Sequence, residues 1–455
     1  MSATEPSIAL HKLEKLRLTS VGEHPILSAV PVGEDTNSPY FVRLPEIDLA
    51  KSIFFDTWNC DFAQELDGED DGTSSESWGR KFDEFIESQH DTPFTPGLPF
   101  WRLHIIPGSR DEQRFIAVFV YHHALGDGSS GKAFHTTFLR ALPDALAFNP
   151  GEVEKIVKTP NKPLLPTLEA LRSLQLSFFY ILKVIFNTKL WPRRDPELWT
   201  GEKIHLPLKN KMHHITVPEK KTAVLKRLCR KHGATITAAL QTLVARALFA
   251  HLPNQFKKLH CSGAVSTRRW LPRDIVTDDS IGVWVLDFSE DYTREAVAGQ
   301  PSFPWDEAQR SRKTIETFLH SQGRNTNVAL LKFVRDYHRD LLTSMIGKDR
   351  GASFEVSNIG MLTDPTSFSG LHSNENDKHP GGASQPLQKP RIGRMIFSQS
   401  GNVAGCAVNV SVITGGDGCL VLTFCWQESA VETGLVKAVI EQVQKDIDML
   451  TEDAH

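Results

Sequence analysis

The sequence predicts a mixed α/β fold made of two layers, each a largely mixed sheet with helices packed on it. Three observations predict this class. The chain has 455 residues, a length that suggests two or three domains and allows sizeable cores. Strand-like runs occur both around residues 98–123 and after residue 258. Segments of helical periodicity separate these runs, and an amphipathic helix follows the last of them.

A β-hairpin is the first element with a clear pattern. "LPFWRLHIIPG" (98–108) is one strand candidate, "SRDEQ" the turn region, and "RFIAVFVYHH" (114–123) the next strand. The second run is almost continuously apolar, which predicts a central strand covered on both faces. The period then changes to that of a helix, with Ser129 or Ser130 as its N-cap and one face formed by Phe134, Thr137, Phe138, Ala141 and Leu142.

Residues 149–207, punctuated by proline and lysine, are predicted to cross between two halves of the molecule. They include an apolar helix near Leu168 to Phe186. Its stretch "LSFFYILKVIF" (176–186) is too short to span a bilayer, which needs about 20 apolar residues. The composition favours a buried or partly covered helix, and peripheral contact with a membrane is the alternative. Two polar segments, 66–77 and 369–390, are predicted to be surface loops.

The second half begins with two helices and continues with strands. The first helix ends at "KHG" (231–233), and the second has Ile236, Leu240, Leu243, Val244 and Ala247 on one face. Six strand candidates follow, at 259–267, 281–288, 352–360, 392–400, 406–414 and 419–427, and "GGDG" is a hairpin turn between the last two. Residues 434–450 form the final amphipathic helix. We therefore predict two domains, residues 1–190 and 191–455.

Composition excludes several classes of function. The net charge is −4 and no long basic run occurs, which argues against a nucleic-acid partner. The six cysteines form no CxxC pair and fit neither a zinc site nor a disulfide framework. Buried free thiols in a reducing compartment are the simplest interpretation, and we expect a cytoplasmic protein. The first 16 residues lack the apolar run of a signal peptide.

The motif "HHALGDG" (122–128) follows the apolar strand and allows three interpretations. Adjacent residues at a strand end point in opposite directions, so His122 and His123 should not both bind one metal ion, and we predict no metal. A structural histidine in a glycine turn is the second interpretation, and the pair at His213 and His214, which lacks the downstream Asp-Gly, is assigned no role. In the third, one histidine is a general base in a channel.

The catalytic interpretation also gives the other motif residues a task. Gly126 and Gly128 would permit tight backbone conformations and leave room for a substrate. Asp127, if it turns back into the protein, would need a cationic partner, because a buried unpaired carboxylate is costly. An arginine elsewhere in the chain is the predicted partner.

"HHALGDG" matches HHxxxDG, the signature of the condensation and acyl-CoA-dependent acyltransferase superfamily, and other segments agree in order. "GAVSTRRWLP" resembles the segment with the arginine that pairs with the motif aspartate, which makes Arg268 the first candidate and Arg269 the second. "SIGVWV", "FEVSNIG" and "FSQSG" resemble later strands. The chain is most similar to fungal alcohol O-acetyltransferases. It lacks the DFGWG motif of the plant enzymes, since "DFSED" at Asp287 lies too early.

The resemblance implies two chloramphenicol-acetyltransferase-like halves with an active-site channel at their interface. Acetyl-CoA would enter from one face and a small, largely apolar acceptor from the other. We expect the protein to be a monomer and to need no metal. His123 would be the general base and Asp127 would organise the loop through Arg268. Ser398 is the candidate oxyanion donor, and the channel candidates are His122, Gly126, Gly128, Asn358 and Gln399.

The acceptor class stays open at this point. An alcohol, a hydroxyl of a fungal secondary metabolite and an amine all suit a histidine base. Two other functions fit the same fold. The acyl donor could be bound to a carrier protein, as in condensation domains, or the chain could be a binding module without chemistry.

Overall fold

A computed structural model of the chain describes residues 21–58, 62, 75–108, 114–146, 155–187, 195–298, 300–362 and 390–452. The predicted loop at 369–390 lies outside these ranges apart from Pro390, and the loop at 66–77 lies outside them up to residue 74. Residues 75–77 belong to a helix, so the loop prediction is wrong there. In the described ranges no single helix is long and apolar enough to cross a membrane. One pair of helices, Glu219–Lys231 and Ile236–His251, is long and apolar enough when taken together, but the two helices are bent by 98° relative to each other.

The described residues up to 187 form a three-stranded sheet and two smaller strand pairs. β5 lies between β4, to which it is parallel, and antiparallel β6, while β1 pairs with β2 and β3 with β7. In chain order the elements are β1 (Ala29–Val32), β2 (Tyr40–Arg43), β3 (Glu46–Asp48), β4 (Ile53–Phe55), α1 (Ser75–Asp91), β5 (Trp101–Pro107), β6 (Phe115–Tyr121), α2 (Gly128–Leu146), β7 (Ile156–Lys158), α3 (Leu168–Leu171) and α4 (Phe178–Ile185).

The described residues from 195 onward form a seven-stranded mixed sheet in the order β11-β10-β12-β13-β14-β9, with β8 also paired to β10. β12 is parallel to both of its neighbours. The elements are β8 (Leu198–Trp199), β9 (Asn210–Val217), α5 (Glu219–Lys231), α6 (Ile236–His251), β10 (Lys258–Ser266), β11 (Val285–Thr293), α7 (Arg294–Ala298), α8 (Trp305–Ser321), α9 (Asn327–Leu330), β12 (Ala352–Met361), β13 (Cys406–Thr414), β14 (Leu420–Gln427) and α10 (Thr433–Glu452).

These two mixed sheets with packed helices confirm the predicted α/β class. The largest core lies on one face of the seven-stranded sheet, where Val410 and Leu422 pack with Leu240 and Val244 of α6 and Val443 of α10. The five cysteines among the described residues are free and buried.

The predicted hairpin is present, but the prediction that its second strand is central is wrong. β5 is the central strand, and β6 has one strand neighbour among the described residues. Its apolar run has a different cause. Phe119 and Tyr121 pack into the core of the three-stranded sheet, whereas Ile116 and Val118 on the other face pack against a second cluster beneath α1. Both faces of an edge strand are therefore covered.

The helix after the motif is confirmed as α2, and all five residues of its predicted face are buried. Its N-cap is Asp127, so the prediction of Ser129 or Ser130 is wrong. The backbone N–H of Ser130 donates to Asp127 Oδ1 at 3.2 Å, as expected for the third helical residue and a capping aspartate.

The apolar helix predicted near Leu168 to Phe186 is two short helices, α3 and α4. The second of these was predicted to be buried or partly covered, and it is partly covered: Tyr180, Ile181 and Val184 are half-buried, and none of its residues is fully buried. Phe178 and Phe179, on its other side, are among the most exposed apolar side chains.

Four strands of the seven-stranded sheet were predicted at their observed places, β10, β12, β13 and β14. The candidate at 281–288 becomes a strand only from Val285. The backbone just before it is engaged elsewhere, because the Gly282 carbonyl accepts from Asp127 N–H and the Trp284 N–H donates to the Asp127 carboxylate. The candidate at 392–400 forms no strand, so that prediction is wrong. Strand β9 was not predicted.

Helix α1 joins the two sheets. Its Trp78, Phe82 and Ile86 pack with Met212 and Cys425 of the large sheet. A polar contact lies beside these residues.

In that contact Asp83 of α1 meets the second histidine pair. Its carboxylate lies 3.0 Å from His213 Nδ1 and 2.5 Å from His214 Nδ1. Burial acts to raise the pKa of Asp83, but the hydrogen bonds from the two histidines hold that pKa below its ordinary value. The pair therefore serves the junction between α1 and β9.

Candidate functional site

The HHxxxDG loop connects β6 to α2, and the network around Asp127 fixes its conformation. Arg268 donates to the Asp127 carboxylate through two nitrogens, Nη1 to Oδ2 at 2.7 Å and Nη2 to Oδ1 at 2.9 Å. The Trp284 N–H and the Ser130 hydroxyl donate to the same carboxylate at 3.0 and 3.1 Å. Both charges are buried, yet each has close polar partners, which is the condition for a stable buried ion pair.

Arg268 comes from the other sheet, so this ion pair also joins the two halves. It lies in a single 3-10 turn, Arg268–Trp270, directly after β10. Its Nη2 donates to the Ser280 carbonyl at 3.1 Å, and its guanidinium lies over the Trp284 ring, 5.0 Å from the centroid. The structure therefore pairs Asp127 with the first of the two candidate arginines.

The two histidines of the motif have different surroundings. His122 packs edge-on against the rings of Phe94 and Phe100, with ring centroids 6.1 and 5.6 Å away. Its Nδ1 accepts from the Ala124 N–H at 3.1 Å, and burial lowers the pKa of His122. Both His122 and His123 are exposed to solvent, so exposure alone does not distinguish them. The difference lies in the contacts of His122, whose ring is held between two phenylalanines and a backbone N–H.

The glycines of the motif serve packing. Neither Gly126 nor Gly128 has a positive φ, so their role lies in the close contacts that a missing side chain permits. A Cβ on Gly126 would lie 2.6 Å from Ser130 Cβ, and one on Gly128 would lie 2.9 Å from both Ile359 Cγ2 and Phe397 Cζ. The space expected for a substrate is thus occupied here by protein side chains.

Glu355 of β12 is a site residue that the sequence analysis missed. It is close enough to His123 for their charges to interact. Burial raises its pKa, and Asn402 Nδ2 donates to its carboxylate at 3.4 Å. Strand alternation within "FEVSNIG" could have placed Glu355 and Ser357 on one face, but nothing in the sequence indicates which face meets the motif loop.

Ser398 lies next to a second residue that was missed, His90 of α1. His90 Nε2 and Ser398 Oγ are 3.1 Å apart. Burial lowers the pKa of His90 to about 4, so its ring is neutral at pH 7. A neutral ring that donates to Ser398 Oγ would leave the serine hydroxyl proton free for another acceptor. His90 is a lone histidine in a helix, and no sequence pattern points to it.

The structure does not bring the other two channel candidates to Ser398 through hydrogen bonds. Gln399 Nε2 donates to Ser411 Oγ of β13 at 3.3 Å. Asn358 Nδ2 donates to Thr237 Oγ1 of α6 at 3.1 Å, on the helix-covered face of the sheet. Since Asn358 is three residues from Glu355 along a strand, its side chain points to the opposite face.

One cavity of about 620 Å³ opens at the outer edge of β11. Tyr180 of α4, Asp287 of β11 and Arg310 of α8 are among the residues that line it, and His123 is not. Among the described residues, no three histidine, cysteine or acidic side chains are grouped so that they could hold a metal ion.

Comparisons with known proteins agree on one family. A family model for alcohol acetyltransferases matches residues 74–369. The probable alcohol acetyltransferase crmB of Aspergillus fumigatus is 33% identical over 438 residues, which cover 93% of this chain and 87% of that protein. The probable alcohol acetyltransferase FCK4 of Fusarium pseudograminearum is 24% identical, with 96% and 86% covered.

A solved structure supports the same fold. TRI3, a trichothecene 15-O-acetyltransferase from Fusarium sporotrichioides, matches with a TM-score of 0.65 at 14% identity, covering 97% of this chain and 86% of that one. At this identity the likeness concerns the fold alone, and it confirms the predicted architecture.

Proposed function

Since this chain belongs to the alcohol acetyltransferase family, as its motif segments predicted, we propose that it transfers an acetyl group from acetyl-CoA to a hydroxyl group. The acceptor in this proposal is a small, largely apolar alcohol, for example a fungal secondary metabolite. His123 is the general base, and donor and acceptor are bound together when the acetyl group moves.

One observation supports this proposal above the others. The motif loop turns Asp127 inward to Arg268, while the imidazole of His123 is exposed to solvent. A loop held by a buried ion pair keeps an imidazole in a fixed position, which is what proton transfer in a transition state requires. His122 is exposed as well, but it packs against Phe94 and Phe100, so His123, the second histidine of the motif, is our choice for the base.

In the proposed reaction His123 accepts the proton of the acceptor hydroxyl as its oxygen attacks the thioester carbonyl carbon. The carbon–sulfur bond of the resulting tetrahedral oxyanion then breaks, and His123 gives the same proton to the departing thiolate. The products are the acetyl ester and free CoA. No bond forms between the acetyl group and the enzyme, so the mechanism needs no nucleophilic serine or cysteine.

Ser398 remains our candidate for the oxyanion donor. Its position beside neutral His90 supports the proposal, because His90 can supply a hydrogen bond to Ser398 Oγ while the serine proton points to the oxyanion. One such donor contributes about 3 kcal/mol to transition-state stabilisation. Ser398→Ala should lower kcat far more than it raises KM.

The sheet face that carries Glu355 suits the pantetheine arm of acetyl-CoA, which has two amides. Ser262 and Ser289 are paired across β10 and β11 and share a face with Glu355. Their hydroxyl groups, together with Glu355, give this face the polar partners that amides require. The face is therefore a candidate wall for the donor.

Acceptor-dependent release of CoA thiol tests the proposal. We expect purified protein to release CoA from acetyl-CoA when a medium-chain alcohol is added, and His123→Ala to lower kcat by about 10²–10⁴-fold. His213→Ala is the matched control, because His213 also belongs to an adjacent histidine pair and is 48% exposed. It should keep full activity.

Two results would contradict the proposal. Acetyl transfer only from a carrier-protein thioester would indicate a condensation-type enzyme. Turnover that is unchanged in His123→Ala would remove the general base and favour a protein without this chemistry.

A further inference from the structure

Helix α4 presents an apolar surface to solvent. Phe178 is 69% exposed and Phe179 81%, while Leu182, Ile185 and the following Phe186 are about half exposed. These five residues, which we call the α4 surface, lie within nine consecutive positions. Isolated exposed apolar residues are normal in proteins, but a contiguous group that includes three phenylalanines indicates a contact site.

Polar atoms hold this helix against the protein. Asn325 Oδ1 accepts from the Ser177 N–H at 2.8 Å, and the Tyr180 hydroxyl donates to Asn327 Oδ1 at 3.3 Å. Asn327 Nδ2 in turn donates to Asp287 of β11 at 2.9 Å. The half-buried face of α4 also carries Ile181 and Val184, so the helix is apolar on both sides, whereas an ordinary surface helix has a polar outer side. These contacts fix α4 with its phenylalanines directed outward.

The sequence around α4 is mostly basic. Between Glu169 and Asp195 it contains five basic residues and no acidic residue, although the whole chain has a net charge of −4, and two of the five, Arg172 and Lys183, lie among the described residues. Lys183 is exposed within the helix itself. Arg324 adds a further cation close by, since its Nη2 donates to Gln175 Oε1 at 3.1 Å. This local charge complements an anionic partner.

We propose that the α4 surface docks the protein on a lipid surface that carries anionic headgroups. Aromatic and aliphatic side chains beside basic residues are the composition of helices that lie in the membrane interface, with apolar residues among the acyl chains and cations at the phosphates. A second copy of this chain fits less well, because two such surfaces facing each other would bring like charges together. The docking is independent of the proposed transfer reaction.

Vesicle flotation of the full chain tests the docking. We expect the protein to float with vesicles of phosphatidylcholine and phosphatidylserine at 7:3, and to float poorly with phosphatidylcholine alone. Phe178→Ser/Phe179→Ser should weaken the binding by on the order of 10²-fold, because the two rings lose most of their transfer free energy. Binding should also fall at 0.5 M salt, where charges are strongly screened.

Tyr40→Ser/Phe41→Ser is the matched control. It also removes two adjacent exposed rings, but from β2, and should float like the wild type. If both double variants lost vesicle binding to the same extent, the proposal would be overturned. It would also be overturned if the wild type floated equally well with and without phosphatidylserine. A dimer in vesicle-free solution that Phe178→Ser/Phe179→Ser separates would overturn it as well. Thiol release with a water-soluble alcohol should be unchanged in the α4 variant, so a failure of docking is distinct from a failure of the reaction.

Discussion

At the scale of single residues, Asp127 shows how one side chain can perform two tasks. Its carboxylate caps α2 by accepting a hydrogen bond from the Ser130 N–H. It also accepts hydrogen bonds from two nitrogens of Arg268. The need for a cation follows from sequence reasoning, because a buried carboxylate must be paired. The Trp284 N–H and the Ser130 hydroxyl could not be predicted, since both contacts depend on how the two halves of the chain meet.

Asp127→Asn isolates the charge of this residue. Asparagine caps a helix as well as aspartate does, so α2 should form normally. Arg268, only 1% exposed, would lose its counter-charge, and breaking a buried pair in this way costs about 3–5 kcal/mol. We expect the free energy of unfolding, measured by urea titration, to fall by that amount.

Asp278→Asn is the matched control for Asp127→Asn. Asp278 pairs with Arg273 at 3.2 Å on the surface, where both side chains are mostly exposed. Such a pair contributes about 0–1 kcal/mol, so the midpoint of unfolding should scarcely move. If the two variants lost equal stability, the Asp127–Arg268 pair would not hold the motif loop as described.

At the scale of elements, the start of α2 is packed directly against the other half of the molecule. Gly128 faces Ile359, which lies where the pairing of β12 with β13 becomes irregular, and Phe397 in the segment before β13. Lys132, one turn later, donates to the Ile359 carbonyl at 2.5 Å. The glycine therefore sets how closely the helix approaches, and Phe397 connects that contact to neighbouring Ser398.

Gly128→Ala should cost about 1–3 kcal/mol of stability, as other overpacked sites do, because its Cβ would lie 2.9 Å from two side chains. Displacement of Phe397 should also lower kcat. Gly434→Ala in α10 is the control, since a Cβ there has no neighbour within 4 Å. It should raise stability by up to about 1 kcal/mol through helix propensity. Thermal unfolding and thiol release measure both effects, and a fully active, equally stable Gly128→Ala would contradict the packing argument.

The elements that were predicted correctly have a regular spacing of apolar residues or a turn signal within their own segment of the sequence. α2, α6 and α10 have apolar faces at helical spacing, and β13 and β14 are joined by a glycine turn. The errors arise where distant contacts decide the structure. Residues 392–400 have the apolar pattern of a strand, but they form none, and two of their carbonyls accept hydrogen bonds from residues outside the segment: Gly393 from the Gly416 N–H and Ser400 from Asn409 Nδ2.

At the scale of the whole molecule, polar contacts join the two sheets, and three of them involve residues discussed above: Asp127 with Arg268, Asp83 with His214, and His90 with Ser398. The motif predicted the first of these, because its aspartate required a partner. The other two could not be predicted, since α1 had no recognisable motif and its neighbours are more than a hundred residues away in the sequence. The same limit applies to Glu355 beside His123.

Buried histidines give the whole molecule a dependence on pH. Burial lowers the pKa of His24, His90 and His135 to about 4 in each case. In the unfolded chain a histidine has a pKa of about 6.5, so between these two values the unfolded state binds more protons. Stability must therefore fall as the pH is lowered from 7 towards 4. Asp83 acts in the same direction, because its lowered pKa stabilises the fold only while it is ionised.

His135→Leu tests this dependence. His135 lies on α2 with its ring edge-on to Phe134, and protonation of this one residue in the unfolded chain should cost about 2 kcal/mol between pH 7 and pH 5. Urea unfolding at both pH values should show that His135→Leu loses less stability on acidification than the wild type, by about that amount. His251→Leu, on the exposed end of α6, should lose as much as the wild type. If His135→Leu and the wild type lost stability in parallel, the His135 ring would not be neutral and buried in the folded protein, and the acid sensitivity would have to come from the contacts between the two sheets.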